Sequence, residues 1–195
     1  MSLIDSTYFA GEILLTNKTD LATDITQAIT QYEKEILIYL LGYELYNAMI
    51  TNQSTEPYKS LIEGAEFEMT FGGIEQTLKW EGLKNSVKES LIAYYVYYKY
   101  QERNFIKPGA ISTVKPKAAN SDIVSPYPKM VNAWNRMISL YGFIPTMWFL
   151  HGMKIMQPSS VYEFSPSAYN YILANIDSFD NWIFTPVRTI NVFGI

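Results

Sequence analysis

The chain has no cysteine and a single histidine, His151. The first absence excludes disulfides, thiolate metal sites and cysteine nucleophiles, and a reducing compartment is compatible with it. The second leaves a metal site without the usual nitrogen ligands, and leaves His151 without a nucleophile motif such as GxSxG to act on. Charge is also scarce. Acidic and basic side chains make up 17% of the 195 residues, below the usual quarter of a soluble protein, and the net charge is −4. Less surface is therefore committed to water than normal, which suggests burial in an assembly, and the bulk charge gives no reason to expect nucleic-acid binding. No apolar run reaches the roughly 20 residues a membrane helix needs; the densest, in 143–156, is broken by Pro145 and carries His151 and Lys154. The first residues, MSLIDSTYFAGE, hold acids where a secretory signal would be basic. The expectation is a cytosolic product with no membrane contact.

What the chain has in quantity is tyrosine, 16 residues within a 48% hydrophobic composition. The segment 80–104, WEGLKNSVKESLIAYYVYYKYQERN, reads as one long helix. Leu83, Val87, Leu91, Tyr94 or Tyr95, and Tyr98 recur at steps of three and four, which is one helical face. Tyr97 and Tyr100 fall outside that stripe. Because a tyrosine ring is apolar and its hydroxyl needs a partner, such off-stripe rings suit a surface covered by another chain. Tyr97 and Tyr100 are therefore assigned to an oligomer interface.

The remaining pattern predicts a mainly α fold, a small helical bundle with one β-hairpin, a long loop and an extended C-terminal arm. Residues 1–18 look irregular, anchored by Leu3, Ile4, Tyr8, Phe9 and Ile13. Thr19 or Asp20 caps an amphipathic helix carrying Leu21, Ile25, Ala28, Ile29, Tyr32, Ile36 and Leu40, which Gly42 ends. Short helices follow over 43–50 and 58–63, the second opened by Pro57 and stopped by Gly64. Alternating Phe67, Met69 and Phe71, then Gly72-Gly73, predict a hairpin over about 66–79. Ser125 and Pro126 start a helix whose buried face is Met130, Trp134, Met137, Ile138 and Tyr141; Ser165-Pro166 start another with Tyr169, Ile172, Leu173 and Ile176. The division that results is a helical domain over 1–176 and an arm over 177–195.

Three features invite a functional reading. The stretch 105–124 contains Lys107, Lys115 and Lys117 against one acid, Asp122, and is predicted to be an exposed loop that meets DNA phosphates or an acidic partner, or is simply solvated. Glu63, Glu66 and Glu68 cluster at what reads as a solvated edge, with a weak claim to a cation. The arm, with Trp182, Phe184, Phe193 and Ile195, is too apolar for a free tail and lacks helical spacing; it is read as a docking element, with a fold back onto its own domain as the alternative.

The blocks LIDSTYFAGEI, YEKEILIYLLGYELYNA, KWEGLKNS, SLIAYYVYYKY and SPYPKMVNAWNRM, in this order and spacing, resemble small head–tail connector (neck) proteins of tailed phages of Bacteroidetes, crAss-like phages included. The likeness spans about the first 140 residues, and FDNWIFTPVRTINVFGI resembles the tail of some members. The resemblance implies a mostly helical adaptor without catalytic residues or cofactors, a homo-oligomeric and commonly twelvefold ring in the virion neck. It implies as partners the portal protein, another neck or tail protein, and the DNA in the channel. It does not place the apolar segment 143–161. The alternatives are a nucleic-acid-binding module using the Lys107, Lys115 and Lys117 loop, and a small hydrolase built around His151.

Overall fold

The computed structural model describes residues 2–15, 21–71, 73–105, 107–108, 113–114, 127–142, 149–150, 153–154 and 166–188. Six α-helices lie among them: α1 (Leu21–Leu41), α2 (Tyr43–Thr51), α3 (Tyr58–Glu63), α4 (Leu91–Phe105), α5 (Tyr127–Tyr141) and α6 (Ala168–Ala174). Strands β1 (Ala65–Phe71) and β2 (Ile74–Trp80) form one full antiparallel hairpin. Two-residue ladders join β3 (Lys107–Pro108) to β4 (Thr113–Val114) and β5 (Phe149–Leu150) to β6 (Met153–Lys154). The fold is the mainly α bundle with one hairpin that the sequence pattern predicts. Gly42 and Gly64 end α1 and α3 as expected, both at positive φ. The N-terminal anchors Leu3, Ile4, Tyr8, Phe9 and Ile13 are all buried.

Helix α4 is the centre. It packs against both α1 and α5, and a helix held between two neighbours must be apolar on more than one face. This corrects the assignment of Tyr97 and Tyr100. Both are buried in the core of their own subunit, 2% and 8% exposed, beside Ile92, Ala93 and Val96. The off-stripe rings answer a second helix of the same chain rather than another copy.

The long helix is also shorter than its periodicity suggests. It begins at Leu91, and residues 81–90 form a connecting segment. The backbone N–H groups of Leu83 and Lys84 donate to Leu61 O and Ile62 O at the end of α3, at 3.3 and 2.8 Å, so this stretch satisfies its donors across the chain instead of along a helix. Asn85 closes a turn, donating to Glu89 O (2.7 Å) and accepting from Glu89 N–H (3.1 Å). Ser90 Oγ accepts from Ile92 N–H at 3.2 Å and donates to Leu83 O at 2.6 Å, which starts α4. Leu83 is fully buried from this segment, whereas Val87, on the predicted helical stripe, is 70% exposed.

The C-terminal residues 177–188 return to the bundle. The last carbonyls of α1 have no partner within the helix. Trp182 Nε1 donates to Leu40 O (2.7 Å), Ile183 N–H to Leu41 O (3.4 Å) and Thr185 N–H to Tyr39 O (2.8 Å). Tyr141 Oη donates to Thr185 O and Trp134 Nε1 to Arg188 O, each at 2.7 Å, which ties α5 to the same strap. Phe179, 1% exposed, is part of the main core. Residues 177–188 thus belong with the helical body rather than forming a separate arm.

Glu33 of α1 holds the other terminus. It is 5% exposed and accepts from Leu3 N–H at 2.9 and 3.1 Å and from Ile4 N–H at 3.4 Å. Burial pushes its carboxyl above the ordinary 4.5, with the two backbone donors pulling the other way. A raised value in the fold means the folded chain holds the proton more tightly. The contribution of this group is therefore fully present below 4.5 and declines as pH rises through the folded value. Urea denaturation is expected to show a loss of about 1 to 3 kcal/mol for Glu33→Ala, which orphans both N–H groups. Glu33→Gln should lose less and should lack the decline above pH 4.5. Equal stability of wild type and Glu33→Ala would contradict the anchoring role.

Candidate interaction surfaces

The polar networks within the bundle are structural in their geometry. Tyr95 Oη donates to Glu35 Oε1 at 2.7 Å and Tyr39 Oη to the same oxygen at 3.4 Å, while Lys99 Nζ lies 3.9 Å from it. Burial, reinforced by the Glu35 carboxylate, pushes the Tyr95 hydroxyl well above its ordinary value. The group locks α1 to α4 with its proton in place. Arg136 of α5 pairs with Glu89, Nε to Oε1 at 2.7 Å, and ties α5 to the start of α4. Neither pairing was legible in the sequence, where Glu33 and Glu35 are only two apart and share no face.

The hairpin is different, because its outer part is exposed. Pairing runs from Ala65↔Trp80 to Phe71↔Ile74, and neither strand pairs with any other among the described residues. Its base is anchored. Trp80 is buried and donates Nε1–H to Leu61 O at 2.9 Å, and Phe67 meets Tyr171 of α6 edge-on at 5.6 Å. Its outer part is not: Thr70, Ile74, Glu75, Gln76 and Thr77 are all exposed, and Ile74 is 65% exposed.

Residues opposite each other across a strand pair share a face. One face carries Phe67, Met69, Leu78 and Ile74. The other carries Glu66, Glu68 and Glu75 with Thr70, Thr77 and Lys79. Lys79 is matched by Glu81 at 2.9 Å, and Glu66, Glu68 and Glu75 join no ion pair among the described residues. An open cleft of about 610 Å³ runs along that face to Ala174 and Asn175. Glu63, grouped with Glu66 and Glu68 by sequence, lies at the end of α3, outside the hairpin. No group of three histidine, cysteine or acidic residues among the described residues is arranged to hold a metal ion.

A second open cleft, about 580 Å³, lies beside the segment that follows β2. Its walls include Leu3, Tyr8, Ile62, Lys84, Asn85 and Ser86. Lys84 and Lys88 flank the exposed Val87. Glu63 lines the same cleft, and Asp5 lies near both lysines; the Thr7 hydroxyl and backbone N–H hold the Asp5 carboxyl below its ordinary value, with the two lysines adding to the effect.

Of the residues singled out by sequence, Trp182 and Phe184 are placed against their own subunit. Phe184 packs with Tyr141 and Tyr169 at 4.9 and 4.7 Å between ring centroids, and Trp182 lies 5.2 Å from Tyr169. The donors that α1 needs at its end explain why the fold back prevails over a free docking arm for these two. Phe193 and Ile195 lie outside the described residues, as do Lys115, Lys117 and His151. The backbone of Lys107 lies in the β3–β4 ladder, and its side chain is outside the description. The helix of α6 carries its buried face on Ala168, Asn170, Tyr171 and Ile172, while the predicted Leu173 and Ile176 are exposed. No helix among the described residues is long and apolar enough to cross a membrane. No protein-family model, curated protein or solved structure matches the chain.

Proposed function

We propose that this chain is a structural subunit of a tailed-phage neck, forming an oligomeric ring that joins the portal to the tail and continues the DNA channel. The observation that carries this reading is the hairpin, anchored on one face by Trp80, Phe67, Met69 and Leu78, with Thr70, Ile74, Glu75, Gln76 and Thr77 exposed and neither strand paired with a third among the described residues. A lone two-stranded ribbon is marginal in water, and unpaired edges invite another chain. A ribbon kept exposed, with Ile74 at its tip, serves contact better than it serves the stability of one subunit.

Two further observations support the reading. The aromatic blocks that resemble neck proteins meet in one core: IYLLGYELYNA in α1 and α2, LIAYYVYYKY in α4, and NAWNRM in α5. Large apolar side chains also remain exposed on several elements, Tyr43 and Ile183 among them, at 62% and 66%. A ring subunit touches at least two neighbours as well as what lies above and below it, and so needs more than one such place.

Deleting the gene in the phage that carries it should leave DNA-filled heads without tails, visible by electron microscopy and rescued by supplying the chain from a plasmid. Infectious tailed particles in the absence of the chain would reject the proposal.

A further inference from the structure

Independently of the neck reading, we infer that β2 pairs antiparallel with β2 of a second copy, Thr77 against Thr77 and Glu75 against Lys79, in a two-fold dimer of the free chain. β2 is the outer strand of the ribbon, because α6 packs against β1. It runs for seven residues in unbroken register with β1, without proline or bulge. Edge strands are normally shortened, kinked or guarded by charge against such pairing. Here the one basic residue, Lys79, is a residue the pairing uses. The groups that pair follow from the turn. Only two residues lie between the strands, so Phe71 and Ile74 form a hydrogen-bonded pair, and such pairs alternate along the ribbon. The backbone N–H and C=O groups of Glu75, Thr77 and Lys79 therefore point outward, and they make no hydrogen bond to another element among the described residues.

Charge selects the register. Residues opposite each other in an antiparallel pair lie on one face, and opposite charges there attract. With Thr77 on the two-fold axis, Glu75 of each copy stands opposite Lys79 of the other on the polar face. A row across the four strands then runs from Glu66 and Lys79 of one copy to Glu75 and Thr70 of the other, with no like charges adjacent. Sliding the partner by two residues sets Glu75 against Glu81 in one direction and Lys79 against Gly73 in the other. The equivalent pairing through β1, centred on Glu68, would set two carboxylates against each other. Lys79 is available, because its bond to Glu81 joins two exposed side chains, a kind of pair that contributes about 0 to 1 kcal/mol. On the apolar face Ile74, 65% exposed in the single copy, comes opposite Trp80 of the second copy. One strand edge from each copy makes a small interface, so the dimer is weak and reversible. A two-fold contact closes on itself and cannot extend into a ring. It guards the edge of the free chain, and on the neck reading it opens when head-to-tail contacts form.

The absence of cysteine makes the test direct. Opposed residues of a hydrogen-bonded antiparallel pair have Cα atoms about 5.5 Å apart, within reach of a disulfide. Full-length Thr77→Cys is expected to form a disulfide-linked dimer under mild oxidation, while Thr70→Cys, exposed on the same ribbon, stays monomeric. In the Thr77→Cys background, Lys79→Glu and Glu75→Lys should each slow the cross-linking several-fold. An equal mixture of these two variants should restore it, because each copy then supplies the charge the other lacks. Equal cross-linking of Thr77→Cys and Thr70→Cys overturns the proposal in favour of random collision. A Thr77→Cys chain that stays monomeric with wild-type circular dichroism overturns it outright, as does a mixture of folded charge variants that fails to recover. The dimer is read on the purified chain and the neck role on the particle, so each can fail alone. A cross-linked dimer of a chain absent from virions rejects the neck reading and leaves the pairing standing. A chain found at the neck that does not cross-link rejects the pairing alone.

Discussion

Truncating the chain after Asn181 is expected to cost the isolated subunit about 3 to 6 kcal/mol, a large share of the 5 to 15 kcal/mol that holds a typical domain together. The strap supplies three donors to the end of α1, from Trp182 Nε1 and the backbone of Ile183 and Thr185. Each such bond contributes about 1 kcal/mol net, and a buried carbonyl left without a donor loses more. Trp182, Phe184 and Val187 also pack against the core, and Tyr141 and Tyr169 lose the rings they touch. Removing aromatic side chains of this kind costs about 25 cal/mol for each Å² of apolar surface returned to water. Chemical denaturation should show the midpoint falling steeply, or a chain that no longer folds. A truncated protein as stable as the full chain would mean that residues 182–188 rest on the bundle without supporting it, and would reopen their role as a docking arm.

Replacing Gly64 by alanine is expected to cost about 3 kcal/mol or more. The residue sits at φ 96 and ψ 154, a region that side chains with a Cβ scarcely enter. A Cβ there would also lie 2.5 Å from Trp80 O and 2.8 Å from the carbonyl carbon of Glu81, both backbone atoms that cannot rotate away. Gly82 makes the reciprocal approach, its Cβ position falling 2.5 Å from Ile62 O. The two glycines let α3 and the base of the hairpin lie backbone against backbone, which fixes the direction in which the ribbon leaves the body. Gly73, near the ribbon's tip, has nothing within 4 Å of its Cβ position. It also has positive φ, so Gly73→Ala carries the conformational cost alone. Gly64→Ala should therefore lower the thermal midpoint much further than Gly73→Ala. Equal effects would show that the close approach contributes little.

These expectations also mark what the sequence makes legible. Helices α1, α2 and α3 and the hairpin follow from local signals: a stripe at helical spacing, glycines that stop it, and alternation around Gly72-Gly73. Each signal acts within a few residues, so the chain's own periodicity reveals it. The periodicity places the start of α4 too early because Leu83 and Val87 continue the helical spacing by coincidence. What prevents a helix there is the pairing of Leu83 and Lys84 with Leu61 and Ile62, about twenty residues earlier. Tyr97 and Tyr100 differ from expectation for a related reason. Periodicity shows how many faces of a helix are apolar, but not whether the second face meets the same chain or another. The strap over α1 and the hold of Glu33 on Leu3 and Ile4 are contacts between distant parts of the chain, and no local pattern carries them. The candidate contact surface was visible only in part. The sequence shows the acids of the hairpin and the lysines near Val87, but not that Ile74 and Val87 are left bare.

The position of the chain on the particle tests the proposed neck role most directly. Antibodies raised against the purified chain are applied to intact phage particles and located by gold labelling in the electron microscope. The proposal predicts label confined to the junction between head and tail, with several copies of the chain per particle by quantitative mass spectrometry. Particles that carry none of the chain, or that carry it only on the capsid or the distal tail, would contradict it.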